Sequence, residues 1–141
     1  MLEFEENRRL GLGHFVTRAE MAKQEGRKMS AIIGQFPGIT LLTGPSGQAW
    51  VKSSRGTKSV FSPDCHPLED AVPPACSKGC FARVWIDNAI VSPVDITNIN
   101  RIDPAQIEAV EYYTGGAETP SKYAVLNSQC GVVVFHTRRP P

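Results

Sequence analysis

Four cysteines, three histidines and a few carboxylates are the residues of this chain that could carry chemistry. The cysteines are Cys65, Cys76, Cys80 and Cys130. No two of them have the C-x-x-C spacing of a zinc ribbon or a thioredoxin-like redox site. An even count in a turn-rich chain favours disulfides in an oxidising compartment. The rival is a zinc site from Cys65, His66, Cys76 and Cys80. The Cys76–Cys80 spacing suits a zinc knuckle, but adjacent Cys65 and His66 are not a usual second half. Free thiols are the third reading.

His14, His66 and His136 are scattered, and no spacing suggests a Ser/His/Asp or Cys/His pair; they read as surface or structural imidazoles. Asp87, Glu108 and Glu111 could be imagined as catalytic carboxylates. They read better as turn caps or solvent-facing groups at strand ends. Gly44-Pro45-Ser46-Gly47 lacks the Gly-Lys-Ser/Thr ending of a phosphate loop. Tyr112, Tyr113, Tyr123 and Trp85 could form a ligand-stacking patch. Strand alternation puts Tyr112 and Tyr113 on opposite faces, so at least one of them belongs to the core. No catalytic constellation emerges, and the expectation is a protein that is not an enzyme and uses no cofactor or metal.

The elements that must position these residues follow from pattern. The chain has 141 residues, which suits one domain. Lys+Arg is 15 and Asp+Glu is 14, a net charge of +1 that gives no case for nucleic acid or an anionic membrane as partner. No apolar run approaches the roughly 20 residues of a transmembrane helix. The acidic start is not a signal peptide. If the protein is exported, the signal is expected to have been removed or to lie upstream.

Residues 1–13 read as a polar, extended lead-in. Thr17-Arg18-Ala19-Glu20 fits a capping box, and a short helix over residues 18–25 should follow, stopped by Gly26. Met29, Ile32, Ile33 and Phe36 have the i, i+3, i+4, i+7 spacing of a helix with one apolar face, ended by Pro37-Gly38. Residues 39–42 and 49–53 read as strands around a turn. Residues 54–80 show no periodicity and hold three of the cysteines, the obvious staples for so long a loop. Residues 81–87 alternate as a strand, and Asp87-Asn88 turns into a hairpin ending near Val91. Ile96, Ile99 and Ile102 mark a connector. Asp103 and Pro104 open about one helical turn, as N-cap and first helical residue. Residues 108–114 form a strand. Residues 131–137, with Val-Val-Val-Phe at their centre, form a last strand buried on both faces. The fold class is α+β: a small mixed β-sheet with two or three short helices.

In this order the pieces resemble the plug domain of TonB-dependent outer-membrane receptors. Residues 16–21 (VTRAEM) are similar to the plug's opening (I/V)TREEI, and residues 29–39 (MSAIIGQFPGI) to LSDLLRRVPGV. Residues 84–91 (VWIDNAIV) are similar to VLIDGVPV. Residues 102–112 (IDPAQIEAVEY) resemble IPPEDIERIEVLRG, and the match runs through Gly115 and Pro120 to residues 130–138 (CGVVVFHTR), like GGVVVITTR. The resemblance spans most of residues 14–138, taken as a plug-like domain over residues 14–139. Asn88 stands where the family has glycine, the IRG after the first hairpin is only faintly kept at residues 51–56, and the loop over residues 57–80 is unusually long.

The resemblance implies a non-catalytic binding and gating module, excised or acting without its barrel, since no barrel of several hundred residues follows here. The alternative is a stand-alone cell-envelope interaction or structural subunit on the same fold. The implied place is the periplasm, outer membrane or cell surface. The implied partners are an outer-membrane β-barrel or envelope protein and a TonB-type energy-coupling protein, for which residues 8–14 are the candidate segment. Ligand-facing loops would be residues 44–47, 57–78 and 115–127, with Pro45, Ser46, Lys58, Lys78, Glu118, Lys122 and Tyr123 as contacts. In a plug-like sheet Cys80 and Cys130 could sit side by side at the starts of two strands. A bridge there closes a loop of about 50 residues, worth roughly 4 kcal/mol. Cys65 would then pair with Cys76.

Overall fold

The strand nearest the end of the chain is the middle of the sheet. In a computed structural model, which describes residues 2–11, 13–43, 47–53, 82–90, 98–114, 119–120, 122–123 and 131–138, the chain order is α1 (Leu2–Leu10), β1 (His14–Val16), α2 (Arg18–Ala22), α3 (Met29–Ile33), β2 (Ile39–Thr43), β3 (Ala49–Ser53), β4 (Arg83–Ile86), β5 (Ala89–Ile90), two 3₁₀ turns (Ile99–Arg101 and Pro104–Gln106), β6 (Ile107–Tyr113) and β7 (Val132–Thr137). Five strands join in the order β1-β6-β7-β4-β5, and β2 and β3 form a separate hairpin. The sheet is mixed: β7 runs antiparallel to β6 and parallel to β4. The α+β expectation holds, and residues 132–135 lie in the central strand of the sheet.

The register sorts the side chains into two faces. Val110, Tyr112, Val133, Phe135 and Val84 pair along one of them. They pack with Met21 of α2, Met29, Ile32 and Ile33 of α3, and Ala49 and Val51 of β3. On the other face Tyr113, Val132, Val134, Trp85 and Tyr123 form a second cluster. Because helices and loops cover both faces, β7 can be apolar at four successive positions. A register shift between Ile107 and Ala109 turns Ile107 onto the α3 face with Val110, although the two are an odd number of residues apart.

Local chemistry explains the ends of the elements. Thr17 and Glu20 make the reciprocal capping box at α2. That helix stops at Ala22, earlier than expected, and turns lead on to Gly26 at φ +87°. Likewise α3 stops at Ile33; Phe36 follows in a turn yet still packs on the core. Asp103 caps the turn after it by accepting from the Ala105 amide at 2.9 Å, with Pro104 at the first position. Asn98 and Asn100 stitch three elements together. The Asn98 Oδ1 accepts from the Ala49 amide at 3.0 Å and the Asn100 amide at 3.1 Å. The Asn100 Oδ1 caps α3 through the Ser30 amide at 3.0 Å, and its Nδ2 donates to the Gly47 carbonyl at 3.0 Å.

The expected extended lead-in is corrected: Leu2–Leu10 is an α-helix. Phe4 of α1 is a buried apolar anchor, set edge-on to Phe15 and to His136, each at 5.8 Å between ring centres. Arg8 and Arg9 lie in the last turn, where cations favour the helix dipole. Gly11, at φ +69°, ends the helix, its amide donating to the Asn7 and Arg8 carbonyls. Among the described residues no helix is long and apolar enough to cross a membrane.

Candidate functional site

A carboxylate in the middle of β6 gathers the polar groups that sequence alone left apart. Glu111 is 0% exposed. Its Oε1 accepts from Asn7 Nδ2 at 2.9 Å and from the Tyr113 hydroxyl at 2.5 Å. Its Oε2 meets His136 Nε2 at 2.5 Å. The expectation that Glu111 faces solvent at a strand end is overturned. Tyr113 and Glu111 are two residues apart on one strand, hence on one face, and Ala109 pairs with His136 on that same face of β7. Asn7 comes from the opposite side, carried by α1. Partners on β6, β7 and α1 thus enclose Glu111, which the strand pattern alone does not reveal.

The chemistry of this cluster is that of a latch. Both carboxylate oxygens are already engaged, one of them twice, and the Phe4 ring packs against the imidazole. An acid or base needs an open line to a substrate proton, and this group has none while α1 is seated. The arrangement instead ties α1 to the sheet through charge-assisted hydrogen bonds, which are stronger than neutral ones.

The other singled-out residues have plain positions. Asp87 caps the end of β7: its carboxylate accepts from the Thr137 amide at 2.9 Å and hydroxyl at 2.7 Å. It sits at φ 55° in the hairpin turn, a region in which Asp is tolerated, so the left-handed residue is Asp87. Glu108 lies 3.8 Å from Arg138 in a half-exposed pair. The His14 ring stacks with Phe36 at 6.0 Å and Tyr112 at 6.2 Å. Tyr112 and Tyr113 are both buried, one on each face.

Tyr123, expected to face a ligand, is corrected to a core residue. Its ring is 0% exposed and meets Trp85 at 5.1 Å and Tyr113 at 6.4 Å. An aromatic in a polar loop gives no local sign of which way it turns. Lys122 is exposed, donates to Asn88 Oδ1 at 2.6 Å and lies 5.6 Å from the Tyr123 ring centre. Pro45, Ser46, Lys58, Lys78 and Glu118, and all four cysteines with their disulfide or zinc readings, lie outside the described residues. Among the described residues no three His, Cys, Asp or Glu side chains converge as metal ligands would.

The stretches that carry the family resemblance meet in space. Arg18, from the first, donates through Nη1 to the carbonyls of Pro104 at 3.1 Å and Ile107 at 2.6 Å, both in the fourth. The strand of the third, β4, lies parallel beside β7 at the end of the fourth. Compared with known proteins, the chain matches no protein-family model and no curated protein.

Proposed function

We propose that this chain is a plug-like, non-catalytic binding and gating module of the cell envelope, of the kind that TonB-dependent outer-membrane receptors carry. One observation supports the reading above the rest: three of the stretches similar to the plug pattern adjoin in the fold, with Arg18 of the first donating to carbonyls of the fourth and β4 of the third paired with β7 of the fourth. In this reading the rigid body is the sheet with α2, α3 and the β2–β3 hairpin, and loops between strands meet the ligand, as loops on rigid scaffolds commonly do. The segment assigned to an energy-coupling partner is then held in place by α1, and the Glu111 latch is what must open when a partner draws on it.

The test is photo-crosslinking in the native host from a reactive side chain placed at Lys122, an exposed loop position, and from one at Arg27 as a control. The expected result is a cross-link from position 122 to an outer-membrane β-barrel protein, recovered in the envelope fraction. Recovery of the protein and all its cross-links in the cytosol would refute the proposal.

A further inference from the structure

The face of the sheet that α1 partly covers also holds buried hydrogen-bond donors with nothing to donate to. Arg83 and Trp85 stand two residues apart on β4, opposite Val132 and Val134 of β7, and so share a face about 7 Å apart along the strand. Trp85 is 8% exposed, and its indole Nε1 is buried without a hydrogen-bond partner. The Arg83 Nε is also buried without one. The Thr119 hydroxyl is a third such atom, at the head of the Pro120–Tyr123 turn that seats Tyr123 on Trp85. A buried donor left unpaired costs about 1–3 kcal/mol, and more when charged. Folded proteins leave few of them without a reason such as an absent ion or ligand.

We propose that Arg83 and Trp85 form a binding site for a small oxyanion, a carboxylate or phosphate group. Guanidinium and indole N–H groups only donate, so the missing partner must accept hydrogen bonds from both. A planar guanidinium matches the oxygens of carboxylate and phosphate. The apolar wall of Val132, Val134 and Ile90 strengthens attraction to an anion by lowering the local dielectric. Glu111, the described acid on this face, lies two strands from Trp85, about 10 Å away, and its oxygens are committed to Asn7, Tyr113 and His136. Arg83 keeps part of its surface in solvent and supplies the way in. This site does not depend on the plug-like reading.

The experiment uses the indole N–H signals of the ¹⁵N-labelled full chain, which has two tryptophans, with Trp85→Phe for assignment. Acetate and inorganic phosphate are titrated separately at constant pH and ionic strength, with chloride as the balancing salt. The Trp85 signal should shift and saturate with one anion or both while that of Trp50 stays still, and the anion that acts identifies the ligand as carboxylate or phosphate. Arg83→Gln, melting close to the parent, should weaken binding at least about tenfold, since the guanidinium fork is lost. If that variant does not fold, Arg83→Lys, which keeps the charge but not the fork, should weaken binding instead. Two outcomes overturn the proposal: no saturation with either anion up to about 50 mM, beyond the range of a specific site, or affinity unchanged in the folded Arg83 variant.

Discussion

Glu111 shows how one residue's role depends on what docks above it. It stands in a strand whose other inward residues are apolar or aromatic, and its burial is offset by three partners. Removing it leaves Asn7 Nδ2, the Tyr113 hydroxyl and His136 facing an empty space. Glu111→Ala should therefore cost about 3 kcal/mol and lower the melting temperature by roughly 10 °C for a chain of this size. Circular dichroism melts check the value. Hydrogen exchange checks the cause, because the amides of α1 should lose protection before those of β7. An unchanged melting point would mean that the latch contributes nothing. Gly13 shows a different constraint: a Cβ there would lie 2.5 Å from the Tyr113 ring and 2.9 Å from the Tyr112 carbonyl, so β1 can approach β6 only with glycine at that position.

The elements differ in how much holds them. The α3 helix has only five residues, too few to be stable alone. It persists because Met29, Ile32 and Ile33 are buried against β7 and β6 and because Asn100 caps its first turn. Ile33→Asp would place an unpaired charge in that cluster and should unfold the domain, with loss of the cooperative thermal transition. A melt like the parent's would place α3 elsewhere. By contrast, among its described side chains α1 offers the sheet the buried Phe4 and the Asn7 amide, with exposed Glu5 and Arg8 on its outer side. Few apolar contacts make an element open locally at low free energy, so α1 should exchange its amide protons sooner than β7.

At the scale of the molecule, the cysteines remain the test of compartment. The strand starts near Cys80 and Cys130 are adjacent in the sheet, since β4 and β7 are paired and the Arg83 amide donates to the Gly131 carbonyl at 2.9 Å. Non-reducing peptide mapping of the native protein should find Cys80 joined to Cys130 and Cys65 to Cys76. Four freely alkylated thiols, or one equivalent of zinc by metal analysis, would instead favour a reducing compartment or a metal site.

The sequence by itself determined the strands other than β1, the apolar core positions of the last strand, the capping box at Thr17, the cap at Asp103 and the hairpin at Asp87. Each of these is written in residues close together in the chain, through periods of two or of about 3.6 and through side chains that bond their own neighbours. Only the tertiary structure decided that residues 2–10 are helical, that Tyr123 is core and that Glu111 is buried. It alone brought Asn7 and His136 to the same carboxylate across 104 and 25 residues of chain. Those outcomes depend on partners far away in sequence, and a polar segment with a single phenylalanine carries too weak a local signal to announce its docking. The unpaired donors of Arg83 and Trp85 are visible for the same reason only in the folded chain: a strand pattern reveals which face a donor is on, and the fold reveals whether anything accepts from it.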